Sequence, residues 1–131
     1  MIRCTYCKKE TSNKKYCSRI CFEAQLHKNT VDAFLKGEYE HPLKQKKLLL
    51  EICDVENCCA ICKQLPIHNN KTLALHLDHI DGNSDNNRVE NLRLLCPNCH
   101  SQTETYGSKN KVRETKRKKQ NKIYRNKRLS V

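Results

Sequence analysis

Apolar positions along this chain follow two rhythms. Between residues 22 and 51, Phe22, Leu26, Val31, Phe34 and Leu35 recur at mixed three- and four-residue steps, the spacing that lines one face of a helix. Gly37 is placed to end that helix. After His41-Pro42, the run Leu43 to Ile52 is rich in good helix formers and predicts a second one. Further on the rhythm shortens to two. Leu73, Leu75 and Leu77 alternate with Ala74 and His76, which predicts a strand running into Asp78-His79. Asp81-Gly82-Asn83 is turn chemistry and Asp85 to Arg88 continues a polar loop. Leu92 to Leu95 then predicts a returning strand. Pro97 suits a helix start, so residues 98–106 are expected to be helical, with Gly107 closing them.

These elements have little apolar material to share. The chain has 131 residues, of which 37% are hydrophobic, with two Phe, five Tyr and no Trp. That is room for one ordinary domain or two very small ones, and cores this thin are usually stapled by disulfides or metal. Ten cysteines are available. The N-terminus lacks the basic start, apolar run and small-residue cleavage site of a secretory leader, so secretion is not expected. The longest apolar run, Leu48-Leu49-Leu50, falls far short of the ~20 residues that span a bilayer, and no membrane partner is expected. In a reducing compartment, Cys-x-x-Cys spacing reads as thiolate ligation of zinc.

Two such sets stand out. Cys59, Cys62, Cys96 and Cys99 have the paired spacing that closes a sulfur tetrahedron, with 33 residues between the pairs that must hold an inserted hairpin. Cys58 neighbours Cys59, but only Cys59 gives the two-residue gap, so Cys58 and Cys53 are assigned no role. Cys4, Cys7, Cys17 and Cys21 form a second set of the same logic. That knuckle serves either as a stability clip or as a DNA contact through Lys8, Lys9, Lys14, Lys15 and Arg19.

Between and beyond the knuckle cysteines lie Leu77-Asp78-His79-Ile80-Asp81-Gly82-Asn83, Glu90-Asn91-Leu92 and Leu95-Cys96-Pro97-Asn98-Cys99-His100-Ser101-Gln102-Thr103. In order and spacing, the stretch from Cys59 to Gly107 closely resembles the HNH endonuclease family, and especially its small phage-type members. The resemblance covers about 50 of the 131 residues. It implies a ββα-metal active site in a treble-clef-like fold, hence a small zinc-stabilised α+β protein, of bacterial or phage origin and cytoplasmic. It also implies His79 as general base, Asp78 and His100 on a catalytic ion, and Asn91 pinning the loop that orients His79.

The residue chemistry agrees. Phosphodiester hydrolysis needs an activated water, a cation on the scissile phosphate and stabilisation of the leaving 3′-oxygen. Histidine titrates near neutrality and suits the base. Adjacent strand side chains point to opposite faces, so Asp78 and His79 meet one phosphate only at a bulge or strand end. Glu104 lies four residues beyond His100 and would share its helix face, giving Asp78, His100 and Glu104 as a ligand set. Asn91 reads alternatively as a turn cap, Glu104 as a solvated residue and His76 as a surface or DNA-contacting side chain. Many relatives carry His where this chain has Asp78, and a carboxylate favours Mg²⁺ or Mn²⁺ over Zn²⁺.

Charge supplies the partner. The net charge is +12, and eleven Lys and Arg against Glu114 alone lie from Lys109 onward. A near-neutral body thus carries a basic tail, with Lys116, Arg117, Lys118, Lys119 and Arg125 among its expected DNA-backbone contacts. The organisation read from sequence is a zinc knuckle (1–24), a helical linker (25–53), a nuclease core (54–107) and a DNA-binding tail (108–131). The expected protein is a metal-dependent DNA endonuclease, with two structural zinc ions and one catalytic Mg²⁺ or Mn²⁺. It would act on double-stranded DNA as a monomer or weak dimer. The alternative is a non-catalytic zinc-dependent nucleic-acid-binding module, and RNA or damaged DNA are rival substrates.

Overall fold

The computed structural model describes residues 1–107 together with 120, 121 and 123. The chain begins with a short antiparallel hairpin, β1 (Ile2–Arg3) and β2 (Glu10–Thr11), followed by helices α1 (Arg19–Leu35) and α2 (Pro42–Ile52). A second small hairpin, β3 (Ile67–His68) and β4 (Lys71–Thr72), precedes β5 (His76–His79). A single 3-10 turn over Val89–Asn91 then leads into β6 (Leu92–Leu95) and α3 (Pro97–Gln102). Among the described residues no helix is long and apolar enough to cross a membrane.

The helices form where the apolar rhythm placed them. Ser18 caps α1 by accepting a hydrogen bond from the Cys21 N–H, and Pro42 opens α2 where its missing N–H costs nothing. Gly37 follows α1 at φ +75°. A Cβ there would stand 3.0 Å from the Arg88 backbone nitrogen, so only glycine gives both the left-handed turn and the close approach of the 80s loop. The buried face of α1 is narrower than the spacing suggested. Phe34 is fully buried, but Phe22 is 49% and Leu26 55% exposed. Phe22 meets Tyr16 edge to face instead. Helix α1 packs on α2, and Cys21 and Phe34 are its buried residues.

The core joins Phe34 of α1 and Leu48 and Leu49 of α2 to Cys59, Leu75, Leu92, Leu94, Leu95 and Cys96. Strand β5 pairs antiparallel with β6 in the register His76↔Leu95, Leu77↔Leu94, Asp78↔Arg93, His79↔Leu92, and α3 packs against both. The returning strand matches its prediction residue for residue. The incoming strand is shorter, because its partner ends at Leu95. Beyond that, Cys96 caps α3 and Pro97 has no N–H for a ladder. Leu73 bonds instead to the Pro66 carbonyl. The β3–β4 hairpin was not read from sequence, although Asn69-Asn70, at φ +50° and +58°, supplies the two positive-φ residues that a two-residue type I′ turn requires.

Candidate active site

The two cysteine sets fold into the same local shape. Cys4 and Cys59 each start a Cys-x-x-Cys-Lys turn whose lysine is left-handed, Lys8 at φ +65° and Lys63 at φ +63°. Both turns are closed by matching backbone bonds, Cys4 N–H to the Lys9 carbonyl and Cys59 N–H to the Gln64 carbonyl. The second pair of each set sits at a helix start, Cys17 and Cys21 at α1 and Cys96 and Cys99 at α3.

All four sulfurs of each set lie within 4.8 Å of one another. Cys7–Cys17 is 3.5 Å, Cys17–Cys21 3.4 Å and Cys62–Cys96 3.7 Å. A tetrahedral zinc with Zn–S bonds of about 2.3 Å sets its sulfurs about 3.8 Å apart, so both donor sets fit zinc. Their acidity fits as well. Burial opposes ionisation of Cys4 and Cys59, but backbone hydrogen bonds outweigh it and pull both thiols down to about 6. Cys17 and Cys99 are pushed up to about 12, chiefly by hydrogen bonds to Cys21 and Cys62 respectively. Each cluster thus offers one ready thiolate and one thiol that a cation would have to deprotonate. Cys58 stands outside the cluster; burial first, then Glu56 beside it, raise its thiol, and burial raises Cys53. Elemental analysis of purified protein should find about two zinc ions per chain, and a value of one would remove the N-terminal site.

The inner set gathers where β5 ends. Leu77, Asp78, His79, Gly82, Ser84, His100 and Thr105 line a shallow cavity of about 160 Å³. His79 is the last residue of β5, so the chain turns there and both Asp78 and His79 reach the cavity despite strand alternation. Asp78 is 6% exposed. Its Oδ2 accepts a hydrogen bond from Arg93 Nε at 2.7 Å, across the strand pair, and its Oδ1 lies 3.7 Å from His100 Nε2. The other His100 ring nitrogen, Nδ1, lies 3.0 Å from His76 Nδ1. The His76 and Tyr106 rings both stand edge to face against His100. His100 therefore keeps Nε2 for the cavity.

The loop after β5 is tied down by side chains. Asn91, buried, accepts from the Asp81 N–H and donates through Nδ2 to Asp81 Oδ1 and the Asn86 carbonyl. Its own carbonyl accepts from the Ile80 N–H. Asn91 thus spans the loop without lining the cavity. The Asp81 carboxyl sits below its ordinary value: burial opposes this, and hydrogen bonds from Asn86, Asn83 and Asn91 plus the nearby His79 outweigh it. His79 Nε2 lies 2.9 Å from Asn87 Oδ1.

A 47-residue stretch of this chain is 53% identical to the H-N-H endonuclease F-TflIV of Escherichia phage T5. The resemblance to the HNH endonucleases is shown. The matched stretch is 36% of this chain, and the chain spans about a fifth of that relative, 21% of its length. No protein-family model and no solved structure matches the chain.

Glu104, read from its spacing to His100 as a further ligand, is not among the residues that line the cavity. Helix α3 stops at Gln102 because Thr103 is extended (ψ 148°), with its hydroxyl and N–H both turned back to the His100 carbonyl. Glu104 therefore shares no helix face with His100; it is exposed, and Thr105 takes its place on the cavity wall. His76, read as a surface side chain, is the hydrogen-bond partner of His100 instead. Arg93, Asn87 and Tyr106 were not singled out from sequence. Only Arg93 left a signal, as the residue that register places opposite Asp78. Lys116, Arg117, Lys118, Lys119 and Arg125 lie outside the described residues.

Proposed function

We propose that this chain is a metal-dependent DNA endonuclease built on a ββα-metal core of β5, β6 and α3. The observation that carries the reading is the meeting of Asp78 Oδ1 and His100 Nε2, 3.7 Å apart, on the cavity that His79 also lines. A binding module needs no such convergence. An oxygen and a nitrogen donor at that separation fit one divalent ion, and the carboxylate favours Mg²⁺ or Mn²⁺. A divalent ion held there supplies neutralising charge at the scissile phosphate and the leaving 3′-oxygen.

The chain's own residues do the rest. Arg93 holds Asp78 by one oxygen and leaves the other to the cavity; His76 and Tyr106 fix the His100 ring. His79 takes the proton of the water that attacks phosphorus as the P–O3′ bond breaks. Asn91 acts at a distance, by setting the path of the loop. Zinc at both cysteine clusters staples a core too thin to stand alone. Double-stranded DNA as substrate, a monomer or weak dimer, the division into knuckle, linker, core and tail, and a cytoplasmic site of action all belong to this reading.

A labelled duplex oligonucleotide incubated with Mg²⁺ or Mn²⁺ should yield 5′-phosphate and 3′-hydroxyl ends, and chelation should abolish them. Cleavage of an equivalent RNA alone would replace the substrate. The basic tail should act through phosphate contacts. Ending the chain at Asn110 is expected to weaken DNA binding and flatten the slope of log affinity against log salt. An unchanged slope would remove the tail from the interface.

A further inference from the structure

We infer that Asn87 is a positioning residue that fixes the tautomer and orientation of His79. The geometric half stands alone, while its effect on rate rests on the nuclease reading above. A carbonyl oxygen only accepts, so the 2.9 Å contact between Asn87 Oδ1 and His79 Nε2 requires the proton to be on Nε2. Nδ1 is then the ring nitrogen that carries the free lone pair, the one able to take a proton from water.

Asn87 is itself held from both sides. Its residue is 5% exposed. On one side the Asn86 carbonyl accepts from Asn91 Nδ2 at 2.8 Å, and Asn86 Nδ2 donates to Asp81 Oδ2 at 2.8 Å. On the other, the Arg88 backbone lies against Gly37, where even a Cβ would intrude at 3.0 Å. The loop therefore presents Oδ1 to the ring from a fixed backbone, and the ring's far nitrogen is fixed in turn. The amide also differs from the carboxylate that often stands behind a catalytic histidine. It orients the ring without adding a charge that would hold it protonated.

The test uses the full zinc-loaded chain with ¹⁵N-labelled histidine, beside Asn87→Leu and Asn87→Asp. At a pH where His79 is neutral, wild type should show a single Nε2-protonated ring with an unprotonated Nδ1. Asn87→Asp keeps an acceptor, so at a pH where its ring too is neutral it should keep that pattern, while its added charge should move the rising limb of the cleavage pH profile upward. Asn87→Leu should give averaged ring shifts and cleave about 10- to 100-fold more slowly, with DNA affinity unchanged. An Nδ1-protonated ring in wild type would overturn the inference whatever the variants do. So would slow cleavage by Asn87→Leu with the wild-type ring pattern intact, since Asn87 would then act only through loop structure. A wild type with the expected ring pattern and no cleavage would uphold the pairing and sink the nuclease reading.

Discussion

Changing Cys59 to Ser is expected to abolish the cooperative fold of residues 54–107 and to halve the zinc content. Cys59 and Cys96 are fully or nearly buried in the same cluster as Phe34, Leu49, Leu94 and Leu95, so the four-cysteine cluster and the apolar core are one structure. Structural zinc contributes an apparent ~10–16 kcal/mol in small zinc-dependent folds, whereas whole domains are stable by only about 5–15 kcal/mol. Loss of one ligand therefore removes more than the core can replace. Circular dichroism melts with parallel zinc analysis would check this. A cooperative melt within a few degrees of wild type would show that the core stands without the metal. Cys53→Ser is the matched control. Cys53 lies outside both clusters and its thiol is raised by burial alone, so the melt should move little and both zinc ions should stay.

The second large effect falls on rate and not on stability. His79→Ala should lower the single-turnover cleavage rate by about 10²- to 10⁴-fold, the range of a positioned general base, with DNA affinity and zinc content unchanged. His79 is half-buried at a strand end, and its side chain belongs to no part of the apolar core. Its backbone carbonyl holds the Gly82 turn and its backbone pairs with Leu92, and alanine preserves both. A parallel loss of affinity would mean that the ring binds DNA instead of activating water.

How much of this was legible depends on the kind of force that placed each residue. The two four-cysteine clusters were readable because paired Cys spacing of this kind can close a tetrahedron of sulfurs. The β5–β6 pair was readable from period-two leucines. The length of β5 was not, because it is set by where Cys96-Pro97 ends the partner strand. Glu104 was misplaced because the i, i+4 rule assumes a continuing helix, and the Thr103 hydroxyl ends α3 by capping back onto His100. Phe22 and Leu26 were assigned to a buried face that the described residues cover only in part. The partners of Asn87 and His76 were hidden for a different reason. Each is a polar residue whose meaning lies in one tertiary hydrogen bond, to His79 and His100 respectively. Gly37 read correctly as a helix end, but its second function, admitting the Arg88 backbone, needs the packed loop to be seen.

The most direct measurement is conversion of supercoiled plasmid by the purified, zinc-loaded chain with Mg²⁺ or Mn²⁺, with chelator and His79→Ala run alongside. The account predicts nicked or linear product from the wild type, none with chelator and almost none from the variant. Equal product from His79→Ala would contradict the assignment of the base. No product from the wild type, with DNA still bound, would contradict the nuclease itself and leave a zinc-dependent nucleic-acid-binding module.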